Sequence, residues 1–157
     1  AFAGIAVYIS FRYDGRYAVL ALVALAHDVL IVCGVFAGLG LLLQLEVDSL
    51  FAVALLTIAG YSVNDTVVVF DRIRERRRQD ASLNLSEQVD QAVSATLTRT
   101  LYTSGTTLLP LLALILFGGA TLYWFAVALA LGVVVGSWSS IALAPSLLTV
   151  WDRSADG

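Results

Sequence analysis

Hydrophobic residues in this chain run in long blocks, and the blocks are separated by short clusters that contain most of its arginines. From Ala18 to Leu43 the sequence is apolar except at His27 and Asp28, and from Ser49 to Phe70 the only strongly polar break is Asn64-Asp65. A helix that crosses a bilayer needs ~20 such residues. From Thr100 to Trp151 no charged residue occurs, which is enough for two crossings, and Gly118-Gly119-Ala120-Thr121 supplies a turn between them. With the apolar residues before Arg12, the pattern predicts five crossings at about 1–11, 17–44, 48–71, 93–117 and 121–150. The first would cover only ~16 Å as a helix, as if a transmembrane helix had been cut.

Between the third and fourth crossings, Asn84-Leu85-Ser86-Glu87 has the spacing of a capping box. Leu85, Val89, Ala92, Val93 and Leu97 follow at helical spacing, which predicts a short amphipathic helix along the membrane surface, leading into the fourth crossing. Asp48 or Ser49 is placed to cap the third crossing. Gly34-x-x-x-Gly38 and Gly132-x-x-x-Gly136 permit close helix approach, and Pro110 should kink the fourth crossing.

Composition agrees with a bilayer as solvent. The chain of 157 residues is 59% hydrophobic and 13% charged, with a mean hydropathy of +0.88, too few polar groups to coat a water-facing globule. One cysteine, Cys33, and one histidine, His27, exclude an internal disulfide and a structural zinc site. A net charge of −3 argues against a nucleic-acid partner. No nucleophile-and-base motif, phosphate-binding glycine loop or metal-ligand spacing points to an enzyme or a bound cofactor. Eight of the nine basic residues, all arginines, fall before or after crossings on one side: Arg12, Arg16, Arg72, Arg74, Arg76, Arg77, Arg78 and Arg153. Short arginine-rich loops stay in the cytoplasm, so the 72–92 connection and the C-terminus are expected there.

Four ionisable residues fall inside the apolar slab: His27, Asp28, Asp65 and Arg99. Each costs ~2.5–3.5 kcal/mol at mid-bilayer, so each needs a reason. Asp65 lies seven residues before Arg72, ~10 Å into the membrane. Arg99 enters from the same side, on a helix rich in hydroxyls that include Thr103 and Ser104. An Asp65–Arg99 ion pair is the economical arrangement, either as a structural bridge or as a proton relay whose carboxylate changes state when the arginine moves. His27 and Asp28 fall near mid-depth: Asp28 could pair with a hydroxyl or arginine of a neighbouring helix, and His27 could be a proton stop or a hydrogen-bonded core residue. Asp71, beside Arg72, reads as a solvated or arginine-paired boundary charge, and Glu46 as the mark of a helix end.

The run Gly60-Tyr61-Ser62-Val63-Asn64-Asp65-Thr66-Val67-Val68-Val69-Phe70-Asp71-Arg72-Ile73-Arg74-Glu75 resembles the signature of the SecF branch of the bacterial SecD/SecF protein-export family, a relative of the RND superfamily. Ala26-His27-Asp28 and Arg99-Thr100 with Thr103-Ser104-Gly105-Thr106-Thr107 extend the resemblance, which spans about 18–150. It implies an all-α, polytopic membrane bundle that forms half of an RND-like twelve-helix assembly. This chain would carry crossings two to six of six, without the first crossing or the periplasmic domain. It also implies partners: the SecD subunit, the SecYEG translocon, a preprotein on the periplasmic side and the lipids of the bacterial inner membrane. Protons would be the coupling ion, with no other cofactor. Asp65 and Arg99 match the intramembrane positions linked to proton conduction, with Asp28 as a further candidate and His27, Asn64, Thr66, Thr103 and Ser104 as supporting polar groups. Two other readings stand beside it, an RND-type exporter of small molecules or lipids and a membrane scaffold whose buried charges only fix packing.

Overall fold

The computed structural model describes residues 2–13, 15–79 and 83–155. Ala1 of the first expected crossing and residues 80–82 of the connection lie outside these. Every element among the described residues is helical: α1 (Phe2–Arg12), α2 (Gly15–Leu43), α3 (Ser49–Gln79), α4 (Leu85–Phe117), α5 (Gly119–Trp138), a π-helical turn (Ser139–Leu143) and α6 (Ala144–Ala155). Four rods are long and apolar enough to cross a bilayer, with α5, the π-turn and α6 making one of them, and α1 is a shorter apolar helix. The five expected crossings correspond to these five rods.

Helix ends follow local chemistry. The Asp48 carboxylate accepts from the amides of Leu50 and Phe51 at 3.0 and 3.3 Å, capping α3 as its sequence suggested. Asn84 and Glu87 close the capping box at the start of α4. The Gly118 amide reaches the Leu114 carbonyl at 2.8 Å, and Gly119 takes φ +74°, a left-handed conformation that a residue with Cβ resists. The amphipathic segment is not a separate surface helix. Nothing between Leu85 and Ser104 breaks a helix, so it forms the first turns of one continuous α4, with Val89 and Ala92 buried against the bundle. The helix also runs on through Pro110. At the other side of that connection, α3 extends to Gln79, two turns beyond its expected end.

The arginine-bearing ends of α1, α2 and α3 meet the end of α6. Arg12 pairs with Asp71 at 2.9 Å, Arg16 with Asp152 at 3.6 Å, and Arg77 donates to the Tyr17 hydroxyl at 3.4 Å. Asp71 is therefore an arginine-paired boundary charge whose partner is Arg12. Beneath this end one apolar cluster gathers Tyr13, Tyr17, Leu25, Phe70, Ile73 and Leu148, and Tyr13 donates to the Val67 carbonyl at 3.0 Å. At the opposite end a second cluster gathers Val32, Phe36, Ile58, Leu111, Leu129 and Val133.

Apart from Gln88 near the start of α4, the buried polar residues fall in the stretch of each helix where these two clusters meet. On α2 Asp28 falls between Leu25 and Val32, and on α3 Ser62, Asp65 and Thr66 fall between Ile58 and Val69. On α4 Thr96, Thr100 and Ser104 fall between Ala92 and Leu111. In the last rod Ser137, Ser139 and Ser140 fall between Val133 and Ala144. The bundle is thus two apolar blocks with a polar layer across its middle.

The glycine pairs part company. A Cβ on Gly34 or Gly38 would meet nothing within 4 Å, whereas one on Gly132 would stand 2.2 Å from Ile58 and one on Gly136 3.3 Å from Ser62. The second pair is what lets α5 approach α3. Much of α4 has no such contact, with 11% of its most apolar stretch buried against 50% for α3.

Candidate functional site

Asp28 is wholly buried and satisfied from three directions. Ser62 on α3 donates to Asp28 Oδ2 at 2.5 Å, Ser139 in the π-turn donates to the same oxygen at 2.6 Å, and His27 Nδ1 lies 2.9 Å from Oδ1. The contact that brings α2, α3 and the last rod to one carboxylate depends on small side chains, since Gly136 leaves room beside Ser62 and Asp28. It also depends on the π-turn. Pro145 has no amide to donate, and its ring crowds the carbonyl four residues before it, at Ile141. The wider turn just upstream, with the Ala144 amide reaching Ser139, absorbs that conflict and leaves Ser139 and Ser140 fully buried. Turns of this kind recur at functional sites.

A second group of hydroxyls adjoins the first. Ser104 on α4 and Ser137 on α5 share a 2.5 Å hydrogen bond, and the Tyr61 hydroxyl donates to Ser104 at 3.3 Å. Ser140 donates to the Ser137 carbonyl at 2.9 Å. The Ser104 reading as a supporting polar group therefore gains a defined place. Thr103, in contrast, turns back on its own helix and donates to the Arg99 and Thr100 carbonyls at 3.0 Å each, as Thr106 and Thr107 do one turn on. Hydroxyls in this pattern satisfy the helix rather than a neighbour.

Asp65 differs from Asp28. It is 5% exposed, yet among the described residues its Oδ2 has no hydrogen-bond partner, and neither has the Thr66 hydroxyl beside it. The expected ion pair with Arg99 is not closed, because no guanidinium nitrogen lies within 4.0 Å of the carboxylate among the described ion pairs. Arg99 is nonetheless the charge that acts on Asp65 electrostatically. The physical reason for the open pair is helix phase. On α4 the buried stripe is Thr96, Thr100 and Ser104, and Arg99 falls on the exposed side of it. Asn64 likewise sits on the exposed face of α3.

Of the residues singled out in sequence, the structure brings His27 and Asp28 together, buries Asp65, Thr66 and Ser104 in the same polar layer, and leaves Arg99 and Asn64 facing outward. Ser139, Ser137 and Tyr61 were missed as partners. For the two serines the only signal was Ser137-Trp138-Ser139-Ser140 inside an uncharged span, directly after Gly132-x-x-x-Gly136.

Comparison with known proteins bears on all of these residues. The family described as "Protein export membrane protein SecD/SecF, C-terminal" matches residues 1–154. The SecF subunit of the Prochlorococcus marinus protein translocase is 73% identical over 150 residues, which cover 96% of this chain and 47% of that subunit. The SecDF subunit of Thermus thermophilus is 44% identical over 147 residues, 94% of this chain and 20% of that protein. The crystal structure of SecDF in its super-membrane-facing form superposes with a TM-score of 0.89 at 43% identity, covering 99% of this chain and 21% of that one. The chain spans about half the length of the SecF relatives it matches.

Proposed function

The chain belongs to the SecD/SecF family of protein-export membrane proteins, and from that premise we propose that it is the membrane half of a proton-driven auxiliary subunit of the protein translocase. It works with SecD, beside the SecYEG channel, in the late stage of preprotein movement across the bacterial inner membrane. Its arginine-rich end faces the cytoplasm, consistent with the distribution of short basic loops. It performs no covalent chemistry and takes up no cofactor besides the coupling proton.

The observation that carries this reading is Asp65, a carboxylate buried in the polar layer with Oδ2 unpartnered and a single influential cation, Arg99, standing off on the neighbouring helix. A group in that position can exist with or without its proton, and moving the guanidinium toward or away from it changes which form is favoured. One charge crossing the membrane potential gains ~2.3 kcal/mol per 100 mV, enough to bias a conformational cycle. Arg99 lies on α4, the least enclosed of the crossings, and a SecD helix packed there would complete the surroundings of both residues. The presence of SecD and SecF in one chain in Thermus thermophilus supports that partnership.

The test uses the full-length protein with its SecD partner in membrane vesicles, measuring preprotein translocation driven by an imposed proton gradient. Asp65→Asn and Arg99→Met should assemble normally and lose the gradient-dependent part. Translocation at the wild-type rate by both variants would assign the two residues to packing.

A further inference from the structure

The His27–Asp28 pair is built differently from Asp65, and its geometry carries a second conclusion. Both donors to Asp28 Oδ2 come from other elements, Ser62 of α3 and Ser139 of the π-turn. Oδ1 faces only His27 Nδ1. The carboxylate is fully buried, while the imidazole is 30% exposed and lies against the Trp138 ring, with centroids 6.1 Å apart. Access to this pair is therefore one-sided: the carboxylate end is sealed by two serines, and the imidazole end opens to the surface of the bundle.

We propose that His27 and Asp28 form a proton-holding site separate from Asp65, in which Asp28 is the fixed anchor and His27 Nε2 is the port through which the proton enters and leaves. The proposal rests on the reading that this bundle handles protons. With Asp28 ionised, Nδ1 carries hydrogen and donates to Oδ1, which leaves the Nε2 lone pair free. A proton arriving at Nε2 makes an imidazolium beside a carboxylate, so the pair changes from net −1 to net 0, and no bond other than N–H forms or breaks. A carboxylate held to Nδ1 selects the tautomer with Nε2 as the exchanging nitrogen. Of the elements packed on α2, α1 carries Tyr8 and Arg12, both toward its arginine-bearing end. The rod from Gly119 to Trp151 has no charged residue, α3 contributes Ser62 with Asp65 the next ionisable residue toward its arginine-rich end, and α2 offers no other ionisable side chain within two turns except Cys33.

The full-length protein, labelled with 15N-histidine and reconstituted with SecD in lipid vesicles, provides the test, with His27→Gln identifying the signal by its loss. As the pH of the medium is varied, the His27 resonances should show hydrogen held on Nδ1 and gained or lost only at Nε2. Asp28→Asn should move the midpoint of that change. Should that variant fail to fold, Ser62→Ala and Ser139→Ala, each removing one anchor, should move it by a smaller amount. Resonances that do not change with pH, or a midpoint identical in every anchor variant, would overturn the proposal. Asp65→Asn separates it from the relay. If that variant loses gradient-driven translocation with the His27 titration intact, both sites stand and are independent. If it translocates normally while His27 still titrates, the relay falls and this site remains.

Discussion

Asp28 and Asp65 occupy the same polar layer, on adjacent helices, and are both almost fully removed from solvent. Asp28 is held by Ser62, Ser139 and His27, whereas Asp65 has an oxygen with no partner. A buried carboxylate with all its acceptors filled behaves as part of the fold, because three elements lose hydrogen bonds if it goes. One left bare costs free energy where it stands, and such a cost persists where a partner or a movement makes use of it. The contrast extends to the helices around them. Asp28 sits among α2, α3 and the last rod, joined through the Gly132 and Gly136 contacts, while Asp65 answers to Arg99 on α4, whose outer face is open.

The sharpest way to break the contrast is to remove each carboxylate. Asp28→Ala should lower stability by about 3–5 kcal/mol, since it strands two buried serine donors and unties His27 from the bundle. Asp65→Asn should change stability by less than about 1 kcal/mol, because it removes no hydrogen bond made among the described residues. Thermal unfolding in detergent checks both, and equal losses would erase the distinction. Next in size, Gly132→Val should cost about 1–3 kcal/mol by overpacking, for its Cβ meets Ile58 at 2.2 Å. Ile58→Ala in the same chain should recover part of that loss, which would locate the strain at the α3–α5 seam that brings Ser62 to Asp28.

Smaller effects belong to the α4 side. Asn84→Ala opens the capping box and should cost about 1 kcal/mol, fraying the helix that carries Arg99, and hydrogen exchange over residues 85–92 would register it. The smallest concerns Glu75, whose pKa lies below its ordinary 4.5, chiefly through the hydrogen bond from Arg72. A depressed carboxylate contributes stability that is present above its unfolded value and lost as pH falls through the folded one. Arg72→Ala should therefore lower stability slightly at neutral pH and leave it unchanged well below about pH 4.5, which flattens the acid-side loss.

Much of the helix plan was legible because its causes are local. Apolar run length fixes where a chain can cross a bilayer, Asp48 and Asn84 announce helix starts through their own side chains, and Gly118-Gly119 announces the turn. Extra length at α3 was not legible, nor was the fusion of the 85–92 helix with the fourth crossing, since polar residues outside the membrane continue a helix without any apolar signal. Among candidate site residues, Asp28 and Asp65 stood out because a carboxylate in an apolar run is rare on energetic grounds. Serines inside the same run carry no comparable cost, so nothing in sequence separated Ser139, which reaches a carboxylate, from Thr103, which bonds its own helix.

The sequence by itself determined that this chain lives in a membrane, how many rods it forms, which ends carry the arginines and which charges must be explained, since all of these follow from desolvation costs paid residue by residue. Tertiary structure decided who meets whom. Helix phase turned Arg99 outward from Asp65, two glycines set the distance between α3 and α5, and a π-turn ahead of Pro145 rotated Ser139 onto Asp28. Each of these depends on the relative rotation and spacing of separate helices, quantities that no single stretch of sequence contains.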